Sequence, residues 1–269
     1  MGIKLTDTHA HLYAEEFDGD RDEVLLRAKQ SGVERIVLPN IDSSSLQPML
    51  DLEARYPEYC YAAIGLHPTS VNETYQHELA IVEQELKRRP YIAIGEIGID
   101  LYWDTTYLSQ QQEAFAQQLS WSLEYHLPVI IHVRDSFDAT LEVISQFKGR
   151  GLRGVFHSFT GTAGQARDIQ DYGNFLLGIN GIATFKNSGL REVLAQLSPE
   201  QLVVETDAPY LSPVPYRGKR NESSYLRRIV SQLAAVYGKT EEEIAAITTE
   251  NTEKLFNFAQ IAGKNAFKA

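Results

Sequence analysis

The chain is 269 residues long, with 43% hydrophobic residues and no long uninterrupted apolar run, a composition that excludes disorder, collagen and a small disulfide-held scaffold. Its 36 acidic residues against 25 Lys and Arg leave a formal net charge of -11 at pH 7, which opposes broad attraction to nucleic acid or anionic membrane but leaves room for a local cationic groove. Cys60 is the only cysteine, so no intrachain disulfide forms and a reducing, cytoplasmic setting is expected.

The opening MGIKLTDTH shows no apolar leader; Met1, Gly2 and Thr6 fit the loose myristoylation pattern but run straight into a first strand. No membrane association and no obligate protein partner are expected. Short apolar runs then recur, most followed by a polar loop and a longer helical pattern. The first runs from Ile3 toward His9 and the second, IVLPN, from Ile36 to Asn40; YAAIGLHP spans Tyr61 to Pro68 and YIAIGEIG spans Tyr91 to Gly98. PVIIHV from Pro128, GVFHSF from Gly154, FLLGIN from Phe175 and LVVETDAP from Leu202 complete the series.

Markers in these units, His11, Asn40, His67, Glu96, His132, His157, Asn180 and Asp207, stand 23 to 36 residues apart, the length of a strand, a helix and two loops. Eight such units predict an α/β fold, a (β/α)8 TIM-like barrel formed as a single domain over residues 1–269. The rival, a doubly wound open sheet, lacks its GxGxxG fingerprint, and the P-loop pattern is missing too. Phe115, Leu119 and Leu123 between Ser109 and Glu124, and Phe137, Leu141 and Ile144 further on, give the stripes of amphipathic helices. The interval after Glu96, containing DLYWDTTY, reads as an enlarged loop. Thr248, Asn251 and the LFNFA run predict a C-terminal helix that closes the scaffold.

His9 and His11 are two residues apart, so in extended chain both leave one face, with Asp7 at the same parity one layer deeper. An HxH pair alone is weak evidence for metal. Glu96, His132, His157 and Asp207 end later apolar runs, however, and a closed barrel gathers its strand ends at one mouth, where active sites of this fold lie. Imidazoles and carboxylates gathered there suit two divalent cations, which polarise a phosphoryl oxygen and activate water. Glu96 is the expected bridge, with His9, His11 and Asp207 around one ion and His132 and His157 around the other. Asp207 is expected to orient the attacking water or take its proton. Glu205, at the same parity, reaches the site as a catalytic group or fixes a ligand. His67 in GLHP orients substrate or water, or makes a structural hydrogen bond. His77, His126 and Cys60 are read as surface or packing residues.

Phosphate contacts are expected from Arg134, immediately beyond His132, and from Arg217, Lys219, Arg220 and Asn221 of the RGKRN segment. Ser158 and Thr160 are candidates for positioning phosphate or water. Tyr102, Trp103 and Tyr107 either stack bases or pack over the mouth.

The motifs THAH, GLHP, AIGEIGID, IIHVRD, FHSFTG and VVETDAPYLSP, followed by RGKRNE, run in order from Thr8 to Glu222. Together they resemble those of the TatD family of metal-dependent deoxyribonucleases, within the amidohydrolase-like superfamily. The resemblance implies the (β/α)8 fold, metal ligation by His9, His11, Glu96, His132, His157 and Asp207, and divalent-metal-dependent hydrolysis of DNA, often exonucleolytic. Mg2+, Mn2+ or Zn2+ are the candidate ions, two per chain, and single-stranded or frayed DNA ends the expected substrate. Family members commonly carry proline after RNE, where this chain has Ser223; that departure falls on local loop geometry. Metal chemistry alone leaves open a hydrolase of a small phosphate ester, amide or lactone. The fourth strand end carries Glu96 rather than a lysine usable as a carbamylated bridge, which favours the TatD-like subset. A noncatalytic nucleic-acid-binding module would leave the His/carboxylate set without a purpose.

Overall fold

The computed structural model describes residues 2–259 and 261, so Met1, the start of the myristoylation pattern, lies outside the described residues. Strands and helices alternate along the chain: β1 (Leu5–Asp7), α1 (Arg21–Gln30), β2 (Val33–Pro39), α2 (Ser43–Arg55), β3 (Cys60–Ala63), α3 (Tyr75–Arg88), β4 (Ile94–Asp100) and α4 (Leu108–Tyr125). There follow β5 (Val129–Arg134), α5 (Phe137–Ser145), β6 (Arg153–Phe156), α6 (Ala163–Gln170), β7 (Asn174–Ile179), α7 (Leu190–Leu194), β8 (Leu202–Val204), α8 (Leu226–Tyr237) and α9 (Glu241–Leu255). The strands pair in sequence order as two parallel arcs, β1–β2–β3 and β4 through β8. Single bridges close both seams, Ile64 to Ile94 between β3 and β4, and Ala10 to Ala208 between the segments that follow β1 and β8. The fold is thus the (β/α)8 barrel that the recurring apolar runs predict.

Side-chain alternation sorts these strands into two cores. Val37, Ala63, Ile130, Val155 and Val203 turn into the barrel, where Leu255, Phe256 and Phe258 join them. Their neighbours Ile36, Leu38, Val129, Ile131, Phe156, Leu202 and Val204 turn outward and pack with helix residues such as Phe115, Leu119, Ile229 and Leu233. The Phe258 ring meets Tyr61 of β3 edge-on, with centroids 4.7 Å apart, and takes the Arg35 guanidinium of β2 at 4.9 Å. The C-terminal helix that Thr248 and Asn251 predict is α9, but it ends at Leu255, and the following Phe256 and Phe258 plug the N-terminal end of the barrel. α9 itself starts on a capping box, with Glu243 N donating to Thr240 Oγ1 and Thr240 N to Glu243 Oε2, and carries Glu241, Glu242 and Glu243 in its first turn.

The plugged end leaves the opposite mouth for chemistry. Two residues beyond Ile130, Val155 and Val203, on the same inward rows, stand His132, His157 and Glu205. Among the described residues no helix is long and apolar enough to cross a membrane.

Candidate metal centre at the barrel mouth

His9 and His11 follow β1, His67 follows β3, Glu96 lies in β4, His132 lies in β5, His157 follows β6, and Glu205 and Asp207 follow β8. The Glu96 carboxylate sits between them, and its two oxygens face different imidazoles. Oε2 is 3.1 Å from His9 Nε2 and 3.7 Å from His11 Nε2. Oε1 is 2.8 Å from His132 Nδ1, 3.3 Å from His67 Nε2 and 3.8 Å from His157 Nε2. Asp207 Oδ1 joins the first group, 3.7 Å from His9 Nε2 and 3.8 Å from the Nε2 atoms of His11 and His157. Three sets have ligand atoms within 4.8 Å of one another: His9, His11 and Glu96; His67, Glu96 and His132; His9, His157 and Glu205. The six residues expected as ligands thus meet at one place. His157 stands between the two groups, stacked on His9 at 3.5 Å between centroids.

Close backbone approach makes this convergence possible. Gly98 pairs in register with His132 and has φ +140°, and a Cβ there would lie 2.1 Å from the His132 carbonyl oxygen. Only glycine lets β4 and β5 come this near. Asp207 holds a left-handed backbone, φ 58°, with its N–H donating to His9 O at 2.9 Å. A non-glycine residue in that region is strained, and such strain clusters at functional sites.

Hydrogen bonds fix which ring nitrogens carry protons. Tyr13 donates its hydroxyl hydrogen to Pro39 O at 2.6 Å, so it accepts from His11 Nδ1 at 2.8 Å, and His11 Nε2 keeps a lone pair for the cluster. His157 Nδ1 lies 2.8 Å from Glu205 Oε1, an ion-pair contact to a ring held charged by the acids around it. His67 is the reverse of His11: its Nδ1 accepts from Thr69 N at 3.1 Å, so its hydrogen is on Nε2, facing Glu96. His67 is therefore arranged as a hydrogen-bond donor. His132 has carboxylates on both nitrogens, Glu96 on Nδ1 and Asp100 on Nε2, each at 2.8 Å.

Charge is poorly balanced among these buried groups. Burial lowers His9 far below the ordinary imidazole range and His11 to about 4. Burial opposes charge on His157, but Glu205, Glu96 and Asp207 outweigh it and push the ring up to about 10. Burial would raise Glu96; the surrounding His67, His9 and His157 hold it well below the carboxylate range instead. Asp207 is pushed up to about 7 by burial, with Glu96 and Glu205 adding to this against His157. Among the described residues, Glu205 Oε2, His9 Nδ1 and His157 Nδ1 find no hydrogen-bond partner. A packed set of acids, imidazole lone pairs and unpartnered buried atoms is the donor set that divalent cations stabilise. The residues present fit divalent metal.

Residues 6–257 match the family described as TatD related DNase. The chain belongs to that family. It is 40% identical over 253 residues to the protein named "Uncharacterized metal-dependent hydrolase YabD" of Bacillus subtilis, covering 94% of this chain and 98% of that protein. It is 33% identical over 264 residues to the "3'-5' ssDNA/RNA exonuclease TatD" of Erwinia tasmaniensis, covering 96% and 98%. The crystal structure of YJJV, a TatD homolog from Escherichia coli K12, superimposes with a TM-score of 0.88 at 32% identity, covering 96% of this chain and 99% of that one. Family and donor set together make the chain a metal-dependent hydrolase of the TatD nuclease family.

Around this TatD-type centre the expected supporting residues divide. Glu205 is fully buried, accepts Ser158 N at 2.6 Å and touches His157, so it holds that ring in place. Gly178 makes room for it: a Cβ there would fall 2.3 Å from Glu205 Oε2. Ser158 Oγ accepts from Asn180 Nδ2 at 2.7 Å, beside a cavity of about 350 Å³ lined by Asp135, Phe137, His157, Phe159, Thr160 and Gln165. A cavity of about 410 Å³ lies far from this chemistry, lined by Arg89, Tyr91, Tyr125, Pro128, Arg153 and Ile261 near the plugged end. Asp7, one layer deeper, accepts the His9 backbone N–H at 3.4 Å, and also Thr206 N at 2.9 Å and Thr206 Oγ1 at 2.6 Å, joining β1 to the chain after β8.

The RGKRN segment is less available than its polarity suggests. Asn221 is fully buried, donating to Thr206 O at 2.8 Å and Tyr210 O at 2.6 Å. Arg220 pairs with Asp20 at 2.7 Å and donates to Glu16 O, while the adjoining Glu222 takes Arg27 in a two-pronged pair. Arg220 and Glu222 latch the loop after β8 onto α1 and its approach, while Asn221 folds that loop back on itself, because buried polar groups must find partners. That corrects the expectation of a phosphate contact for Asn221 and for Arg220; Arg217 and Lys219 stay exposed. Tyr107 donates to Glu73 at 2.8 Å instead of joining Tyr102 and Trp103. Arg134 stacks on Tyr102 at 3.7 Å to the ring centroid. His77 is exposed, and His126 caps α4 with φ 56°, so both stand outside the site.

Sequence reasoning missed Asp100, which is buried and grips His132. The signal was present: Glu96, Gly98 and Asp100 alternate along β4, so Asp100 shares the face of Glu96.

Proposed function

We propose that this chain, acting as a single domain in the cytoplasm without an obligate protein partner, hydrolyses phosphodiester bonds of DNA from single-stranded or frayed ends. The Erwinia relative, named as a 3'-5' ssDNA/RNA exonuclease, supports that substrate class. One observation carries the reading: the oxygens of Glu96 face separate imidazole groups, the arrangement of a carboxylate shared by two cations. His9, His11, Glu96 and Asp207 would hold one, and Glu96, His132 and His157 the other. Mg2+, Mn2+ or Zn2+ bound there supplies Lewis acidity to the phosphoryl oxygen and lowers the pKa of water.

The protein's own groups do the rest. Asp207, whose side chain is 13% exposed against 3% for Glu96 and 0% for Glu205, is the carboxylate that reaches the attacking water and takes its proton. His67 Nε2–H donates to a phosphoryl oxygen as charge builds there. Glu205 keeps the His157 ring oriented. Arg134, Arg217 and Lys219 offer charge to the nonbridging oxygens, and Ser158 lies close enough to His157 to position the substrate.

The test is a matrix of metals against end-labelled single-stranded DNA, duplex DNA, RNA, and small phosphodiester, amide and lactone substrates. Metal-dependent release of mononucleotides from single strands is the expected outcome. Turnover of only the small carbonyl substrates would overturn the nuclease reading, and internal fragments would overturn end trimming.

A further inference from the structure

Exposed aromatic surface is concentrated at the mouth. Among the described residues, the large exposed hydrophobic side chains are Leu26, Tyr102, Trp103, Tyr210 and Val214; all but Leu26 lie on loops that follow β4 or β8. Trp103 is 70% exposed, whereas the second tryptophan, Trp121, is 6% exposed. An indole left in water while the other is buried calls for a partner of its own kind of surface.

The loop that presents it is tied to the metal centre. Asp100 Oδ1 accepts the backbone N–H of Tyr102 at 3.0 Å and of Trp103 at 3.3 Å, while Asp100 Oδ2 lies 2.8 Å from His132 Nε2. The Tyr102 and Trp103 rings meet edge-on at 5.0 Å and 88°. Arg134 lies over both, 3.7 Å from the Tyr102 centroid and 5.4 Å from that of Trp103. Across the mouth, Tyr210 is 52% exposed, with its ring 6.3 Å from that of His11. In a ring of eight strands in sequence order, the β4–β5 side and the β8–β1 side are opposite walls, and the imidazoles and carboxylates lie between them.

We infer that these walls are two base-stacking stations, Tyr102 with Trp103 on one side and Tyr210 on the other, which hold the nucleobases flanking the phosphodiester under attack. Every nucleobase has a π-face, so stacking accepts any sequence. In a duplex those faces are covered by neighbouring bases, so the stations select unpaired ends. Arg134, fixed by the rings beneath it, then meets the adjoining phosphate. The inference rests on the nucleic-acid reading proposed above and adds that bases, as well as phosphates, are gripped.

The experiment uses the metal-loaded full chain and single-stranded deoxyoligonucleotides with one abasic residue at successive positions, beside bis(4-nitrophenyl) phosphate, which has no base. In the natural protein an abasic residue next to the scissile bond is expected to raise KM about tenfold, the size of one lost base stack. Trp103→Ala should raise KM for the intact strand by a similar factor, with no further rise for the abasic strand, and Trp103→Phe should recover most of it. Strand binding should quench the Trp103 emission and leave that of Trp121. Equal KM for intact and abasic strands, or a Trp103→Ala variant with unchanged KM, overturns the stations even if DNA is cleaved. Turnover of bis(4-nitrophenyl) phosphate with no DNA cleavage at all overturns the nuclease reading itself.

Discussion

The two ends of the barrel are built on the same inward rows and do opposite things. At the N-terminal end Val37, Ala63, Ile130, Val155 and Val203 close against Phe256 and Phe258. One inward step further, at His132, His157 and Glu205, the rows carry polar groups that share carboxylates. The step is two residues, about 6.6 Å of strand. Stability and chemistry are thus separated along each strand by a single pleat, and substitutions at the two ends should separate them in measurement.

The largest effect belongs to the mouth. Glu96→Gln leaves one oxygen unable to face a cation as a carboxylate, and metal-dependent turnover should fall on the order of a thousandfold or more. Bound metal measured by elemental analysis should fall with it, while thermal unfolding shifts little. Full activity at full metal occupancy would break the comparison.

At the other end Phe256→Ala removes a ring that is 1% exposed. It should lower unfolding stability by about 3–5 kcal/mol, read from denaturant midpoints, with kcat of the still folded fraction retained. Loss of kcat in parallel would show the ends to be coupled.

Gly178→Ala sits between these extremes. Its new Cβ would overlap Glu205 Oε2, so about 1–3 kcal/mol of stability should be lost, and turnover should drop because His157 loses its support. Gly178→Ala combined with Glu205→Gln should be no less active than Glu205→Gln alone.

The smallest effect is expected at the rim. Arg217→Ala, an exposed position, should lower the slope of log affinity against log salt by about one, measured with a single-stranded oligonucleotide. Arg220→Ala should instead weaken folding, since its partner is Asp20.

The barrel was legible because most strands carry a short run of buried apolar residues and the mouth residues lie at or just beyond their ends. The ligand candidates were legible for the same reason, since position at a strand end determines where a side chain goes. What sequence could not reveal was the pairing between strands: Asp100 meets His132 only through the β4–β5 register. In RGKRN, polar residues in a loop read as solvent-facing, although Asn221 is buried by chain more than ten residues away. The seat of such a residue depends on tertiary packing, which local pattern does not encode.

The bridge from Ala10 to Ala208 brings His9 and His11 to Asp207 across almost the whole chain. The other group, Glu96, His132 and His157, draws on a far shorter stretch. During synthesis the latter three are all available before β7 is made, but the former must wait for β8 and its following loop. Sealing the ring and bringing His9 and His11 to Asp207 are consequently one late event, and a nascent chain stalled before it has an unfinished mouth.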